Sequence, residues 1–347
     1  MPSSTIVHAA VFAVGALVGG GVATAVTARN RRDVLPPSVP APVPTPVSTQ
    51  TAPPPPVIDV KPGEGTKMET RARVVDEGPI SDLLVRRAYV AGYDRRLRHP
   101  AWTAEHLTLA SLGKSALEPR NNDEAGDRAN SQFMEDQAIP AMFRAKLSDY
   151  FRSGYDRGHM VPAADAKMSQ AAMDETFLLT NIAPQVGAGF NRHYWAYVED
   201  WCRRLTSSFS DVYIFTIPLY LPKLDADGKW RVCHEVIGNP PNISVPTHFA
   251  KVVLASRPSS PSRPDVPEIS TGAFVLPNAV IPDEAKLESF IVPVEAVERA
   301  AGLTLFSDAV KANSKHICKT TKCDVIVRRF DDAVRRPDPR KAIAPPK

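Results

Sequence analysis

Tyr155-Asp156-Arg157-Gly158-His159-Met160-Val161-Pro162-Ala163 is the stretch on which the reading of this chain turns. A glycine between arginine and histidine permits a tight turn that a β-carbon would block. Arg157 keeps its charge at any physiological pH, and its planar fork suits a phosphate. Imidazole already titrates close to neutral pH, which suits a general base. A lone histidine is more often a satisfied core or surface residue than a catalyst, so His159 depends on its setting.

The nearest strong periodicity lies downstream. From Asn191 to Thr206, the apolar residues Tyr194, Trp195, Val198, Trp201, Cys202 and Leu205 recur at spacings of three and four, which predicts a helix. Asn191, Trp195 and Glu199 follow one another at four-residue intervals near its start. Eight residues of helix rise about 12 Å and turn a side chain by roughly 80°. Asn191 and Glu199 therefore border one cleft but cannot both sit tightly on one ion. Asn191 is the candidate for direct metal contact, with Glu199 reaching the ion through water. A single neutral ligand with retained waters suits magnesium. On spacing alone, a surface Asn cap and a solvent-facing Glu would be the stronger reading.

Further out, Val212 to Thr216, Ala250 to Leu254 and Asp324 to Val327 are β-rich runs. The stretch from Pro293 through Ala300 predicts a second helix, stopped by Gly302. Strands with interspersed helices predict an α+β domain over 76–334, with Ser256 to Pro267 as a surface insertion.

The ends of the chain differ in kind. Ile6 to Ala28 contains no Asp, Glu, Lys or Arg, and roughly 20 apolar residues suffice to cross a bilayer. Arg29, Arg31 and Arg32 follow at once, where they can anchor the segment at headgroups. Positive charge follows this run rather than preceding it, so 1–34 is read as an uncleaved anchor or targeting segment. Of 34 prolines, eleven fall between Pro36 and Pro62, so 35–75 is read as an extended Pro-rich tether. Residues 335–347 form a basic tail.

Composition excludes little. The net charge is +4, and the clusters Arg86-Arg87, Arg95-Arg96-Leu97-Arg98 and Arg328-Arg329 read first as solvated faces. Four cysteines argue against a disulfide scaffold. Cys318 and Cys323 are close enough to pair, Cys202 and Cys233 read as buried thiols, and His316 does not complete a zinc site.

Several blocks in order lift the motif above chance. The 155–163 stretch, then Thr176-Phe177-Leu178-Leu179-Thr180-Asn181-Ile182-Ala183-Pro184-Gln185, then Phe190-Asn191-Arg192 with Trp195 and Glu199, closely resemble the signature of the DNA/RNA non-specific endonucleases. The resemblance runs from Arg86-Arg87-Ala88-Tyr89 to Phe306, through Pro246-Thr247-His248-Phe249-Ala250-Lys251 and Ala273-Phe274-Val275-Leu276-Pro277-Asn278, and is similar to the mitochondrial endonuclease G branch.

What the resemblance implies is specific. The fold would be a ββα-metal (His-Me finger) nuclease with a central antiparallel sheet flanked by helices. His159 would be the general base, and Asn191 the one direct protein ligand of Mg2+, with Mn2+ as the substitute cation. Glu199 would hold water on the metal, Arg157 would neutralise the phosphate, and Asn181 would order the site around His159. Arg128, ahead of Phe133-Met134-Glu135-Asp136, would be a further arginine of the site. Asp156 would hold the hairpin or orient Arg157. The partners would be DNA and RNA, the products 5′-phosphate and 3′-hydroxyl ends, and the assembly a homodimer. The placement would be mitochondrial, at the inner membrane through the N-terminal segment or in the intermembrane space. The pattern departs at Thr216-Ile217-Pro218-Leu219-Tyr220, where Ile217 replaces the usual Gly and would be strained if φ there is positive. That departure motivates the alternative of an inactive, membrane-tethered nucleic-acid-binding protein. A scaffold that recruits partners through the tether is a third reading.

Overall fold

The computed structural model describes residues 82–114, 125–260 and 262–327. The anchor (1–34), the tether (35–75) and the tail (335–347) lie outside the described residues. Among the described residues, no helix is long and apolar enough to cross a membrane.

The described residues build fourteen strands: β1 (Asp82–Val85), β2 (Tyr89–Asp94), β3 (His99–Leu107), β4 (Asp156–His159), β5 (Ile182–Gln185), β6 (Asp211–Leu219), β7 (Lys223–Leu224), β8 (Trp230–Arg231), β9 (Val236–Ile237), β10 (Ile243–Ser244), β11 (His248–Ser260), β12 (Arg263–Pro277), β13 (Ile291–Val292) and β14 (Lys315–His316). Eight form one sheet in the order β1-β2-β3-β6-β11-β12-β13, with β14 added parallel to β12 and every other pairing antiparallel. The remaining strands make the separate pairs β4/β5, β7/β8 and β9/β10. This is a mixed α+β fold with a central sheet, as the sequence predicts.

Period-two alternation splits the sheet into two faces. Val212 and Ile214 of β6, and Phe249, Val253 and Ala255 of β11, pack on one face with Trp195, Val198, Trp201 and Cys202. Phe215, Ile217 and Leu219 of β6 pack on the other with Trp102, Val252, Val297 and Phe306. The predicted helix is present as Trp195–Arg204, buried along Trp195, Tyr197, Val198, Trp201 and Cys202. Its first predicted residues instead belong to a wide, π-type turn at Gly187–Tyr194, in which Gly189 takes φ 81°. The second predicted helix, Val294–Ala301, ends on Gly302 in the left-handed region. Glycine enters that region without the steric cost a side chain brings.

Several expectations are corrected or refined. Asp324 to Val327 forms no strand. The chain there runs past the Trp195–Arg204 helix, and Trp201 Nε1 donates to Lys322 O at 2.9 Å while Arg204 donates to Asp324 O at 2.8 Å. The surface insertion expected at Ser256 to Pro267 takes the form of an extended β11/β12 hairpin, paired as far as Ser260 with Arg263. Ile217 is not strained, because it lies within β6, is fully buried, and is absent from the positive-φ positions. Cys318 and Cys323 form a disulfide, while Cys202 is buried as expected and Cys233 is exposed instead.

Candidate active site

The short ladder β4/β5 sets His159 in place. Asp156, Arg157, Gly158 and His159 pair with Gln185, Pro184, Ala183 and Ile182. Gly158 is required by contact rather than by its torsion. A β-carbon there would come within 2.1 Å of Gln185 Oε1 and 2.4 Å of its Cγ, and Gln185 is itself fully buried. Beyond His159 the chain is clamped by Asn181, whose Oδ1 accepts from Val161 N at 3.0 Å and whose Nδ2 donates to Val161 O at 2.9 Å and Thr176 O at 2.8 Å. Asn181 O also accepts from Met160 N at 2.9 Å. Asn181 is fully buried, so it braces the site from behind rather than facing it.

Two rings wall in the imidazole. Phe133 and Phe177 stand 5.3 and 4.8 Å from the His159 ring, centroid to centroid. They are brought together because Met134 N donates to Phe177 O at 3.1 Å and Leu179 N to Met134 O at 2.9 Å. Asp136 secures the same block by accepting from Arg86, from Thr180 Oγ1 at 2.5 Å and from Ala138 N at 2.9 Å. Each ring carries a guanidinium on its other side, Arg157 over Phe133 at 4.3 Å and Arg128 over Phe177 at 5.3 Å. Cations over aromatic faces are mutually attracted, so the rings hold both arginines beside the histidine.

This setting fixes the protonation state. Burial, then the charges of Arg128 and Arg157, push the His159 pKa down to about 3. The imidazole is therefore neutral at physiological pH, and its Nε2 is buried with no hydrogen-bond partner among the described residues. A neutral ring nitrogen of this kind is ready to accept a proton.

The wide turn at Gly187–Tyr194 brings Asn191 to the same place. Asn191 Nδ2 donates to Asp156 at 3.0 Å, and Arg192 holds that carboxylate with two bonds of 2.7 Å. The hydrogen bond from Arg192 is the main cause of the lowered Asp156 pKa. Asp156 thus orients Asn191 and pairs with Arg192, where the sequence reading gave it Arg157 as partner. With its nitrogen engaged by Asp156, the amide oxygen is what Asn191 has left to offer as an acceptor. Arg128, Arg157, Asn191 and Arg192 line one open cleft of about 510 Å³, together with Phe133, Tyr155 and the Phe151-Arg152 turn.

Behind the cleft lies a buried polar layer on the helix side of the sheet. Lys251, 1% exposed, donates to Thr216 Oγ1 at 2.7 Å and to Met160 O at 3.2 Å, and sits 5.2 Å over the Trp195 ring. Arg203 pairs with Asp165 at 2.7 Å. Burial, then the neighbouring Asp165, raises the Glu105 pKa well above the usual carboxylate range. Two neighbouring carboxyls cannot both ionise readily, so Glu105 is the one that keeps its proton. Glu199, half-buried on the Trp195–Arg204 helix, faces Lys251, Arg203 and Arg128, and burial lifts its pKa to about 7.

Of the residues singled out from sequence, Arg128, Arg157 and Asn191 meet at one cleft, with His159 against its aromatic wall. Glu199 stands on the adjoining helix, and Asn181 behind the strand. Sequence reading missed the roles of Phe133, Phe177 and Lys251, each of which stood inside a block already quoted. Apolar residues inside a motif were the available signal, since rings beside a catalytic block have to pack against something.

Comparison with known proteins gives consistent findings. The sequence pattern of the family described as DNA/RNA non-specific endonuclease matches residues 68–312. The chain is 51% identical over 259 residues to Nuclease 1, mitochondrial, of Schizosaccharomyces pombe, covering 75% of this chain and 76% of that one. It is 50% identical over 273 residues to the mitochondrial nuclease of Saccharomyces cerevisiae, covering 78% and 79%. Among solved structures, the crystal structure of the EndoG/EndoGI complex, which concerns EndoG inhibition, matches with a TM-score of 0.62 at 40% identity, over 70% of this chain and 92% of that one.

Proposed function

This chain belongs to the DNA/RNA non-specific endonuclease family, and from that membership we propose that it is a magnesium-dependent, sugar-non-specific nuclease of the ββα-metal type, leaving 5′-phosphate and 3′-hydroxyl ends. The observation that carries this reading is the meeting of Arg128, Arg157 and Asn191 on one open cleft, with a neutral His159 packed against Phe133 of its wall.

His159 serves as general base and takes the proton of the attacking water. Its basicity, suppressed by burial and then by Arg128 and Arg157, recovers the arginine part when a substrate phosphate neutralises those two charges. Asn191 is the direct metal ligand. Among the described residues, no group of three His, Cys, Asp or Glu could hold a metal ion, so the donor set is one neutral oxygen plus retained water. That set fits Mg2+, which dehydrates reluctantly, and Mn2+ as its substitute. Bound there, the cation supplies Lewis-acid stabilisation of the scissile phosphate. Glu199 orients water from the helix side, and Asn181 positions His159. Contacts to the phosphate backbone carry no sequence information, which accounts for broad substrate use.

The nuclease domain spans 76–334, tethered by 35–75 to an anchor at 1–34 and followed by a basic tail at 335–347, and works as a homodimer. The mitochondrial names of its relatives support placement in the mitochondrion, at the inner membrane or in the intermembrane space. The inactive-binder reading rested on Ile217, whose place in the buried core removes that support.

The test is cleavage of plasmid DNA and of RNA by the full-length chain, with magnesium and with chelator, beside His159→Ala. Metal-dependent cutting of both substrates is expected, with the variant slower by about 10²- to 10⁴-fold, the range for one general base. Unimpaired cutting by His159→Ala would overturn the mechanism, and cutting in chelator would overturn the role given to Asn191.

A further inference from the structure

Phe151 stands on the rim of the cleft with its side chain 72% exposed. One exposed apolar residue needs no explanation by itself. The surroundings of this one do. The next residue, Arg152, has φ 54°, a conformation uncommon for residues other than glycine. Its guanidinium lies 5.0 Å over the Phe151 ring.

The turn that imposes this geometry is well held. Phe151 N donates to Ser148 O at 3.2 Å and Ser153 N to Tyr150 O at 3.3 Å. Tyr155 N donates to Ser153 Oγ at 3.2 Å. Ring and cation are therefore presented together, at the mouth of a cleft where Arg128 and Arg157 keep their charge while Arg192 pairs with Asp156.

A basic groove edged by an aromatic face is the arrangement that binds unpaired nucleic acid, with the backbone following the charge and a base stacking on the ring. Inside a duplex both faces of every base are covered by its neighbours, and freeing one costs unstacking energy. Resting on the nuclease reading above, we infer that Phe151 is a base-stacking residue of the substrate groove, that Arg152 grips the adjoining phosphate, and that the chain binds single-stranded nucleic acid in preference to intact duplex. The duplex is cut as well, because Arg128 and Arg157 need only a phosphate.

The experiment uses the full-length chain and one oligonucleotide carrying 2-aminopurine, offered as a single strand and annealed to its full complement at one fixed salt concentration. Binding is measured in chelator, so that no turnover is needed, and KM and kcat are then measured in magnesium. Phe151→Ala is expected to weaken single-strand binding about tenfold, within the range for losing one base stack. The duplex should change by less than about twofold, since no base in it meets the ring. Quenching of 2-aminopurine should be lost in Phe151→Ala and kept in Phe151→Trp. In turnover, KM for the single strand should rise while kcat holds. Arg152→Gly, which relieves the backbone, should weaken both substrates alike and lower the salt dependence by about one unit. Equal weakening of both substrates by Phe151→Ala, or of neither, overturns the inference. Quenching that depends on Phe151 in a chain that cuts nothing would uphold the stacking and sink the nuclease reading instead.

Discussion

On the solvent side of β4, Arg128, Arg152 and Arg157 face open water and carry no carboxylate partner among the described residues. A few residues behind the same strand, Arg203 and Lys251 are sealed in, bonded to Asp165, Thr216 and Met160. The cations are of the same types and their situations are opposite. In the cleft, aromatic faces hold the guanidinium groups without neutralising them, so their charge remains available to a phosphate and depresses His159 meanwhile. In the buried layer, Arg203 is paired with Asp165 and Lys251 is hydrogen-bonded to Thr216 and Met160, because an unsatisfied charge would be too costly away from water. The difference separates binding from bracing: Arg128, Arg152 and Arg157 are left without a counter-ion, and the cations behind the strand are tied to protein oxygens.

The comparison breaks most sharply at Lys251. Lys251→Met keeps the length of the side chain and removes the charge, leaving the acidic side of the layer uncompensated. Loss of one partner from a buried charged network typically costs about 3–5 kcal/mol, so denaturant unfolding should show a loss of that order. A loss under about 1 kcal/mol would mean that the layer is not the brace described here.

Glu105→Gln tests whether one proton is kept in the layer. The Glu105 pKa is raised on folding above its ordinary 4.5, so between 4.5 and the folded value the native state holds a proton that the unfolded chain releases. Stability contributed by Glu105 is thus complete below 4.5 and declines as pH rises, by at most about 1.4 kcal/mol per pH unit. An amide does not titrate, so the variant should lack this decline and gain on the wild type toward alkaline pH. Parallel stability curves for the two proteins would show that Glu105 retains no extra proton on folding.

The smallest effect is on the cleft side. In the wild type, the acid limb of kcat/KM should lie well below the ordinary imidazole value of 6.5, because His159 is depressed. Arg128→Ala removes one of the depressing charges, so its limb should move up toward 6.5, whatever happens to the absolute rate. A limb that stays in place would remove Arg128 from the environment of His159.

Much of this was legible before the fold. The helix Trp195–Arg204 and the strands β6 and β11 announce themselves by period, because a buried face repeats every 3.6 or every 2 residues whatever packs on it. The predicted strand at Asp324 to Val327 failed for the complementary reason. β-rich composition makes a strand only where a partner edge is available, and here the carbonyls meet side chains of a helix. Lys251 stood inside a predicted β-run, and nothing in that run showed that Glu105 and Asp165 would share its buried surroundings.

The sequence by itself determined the chemistry and its order along the chain: a histidine after Asp-Arg-Gly, an asparagine at a helix start, the arginines, and the blocks that mark the family. Those are properties of residue type and local spacing, which survive without knowledge of contacts. Only the tertiary structure decided which of these groups meet solvent and which are matched in the interior. It joined Asp156 to Asn191 and Arg192, walled His159 with Phe133 and Phe177, and left Phe151 in the open. The reason is physical, since desolvation and charge pairing depend on what distant segments bring within a few ångströms, and no local pattern records that.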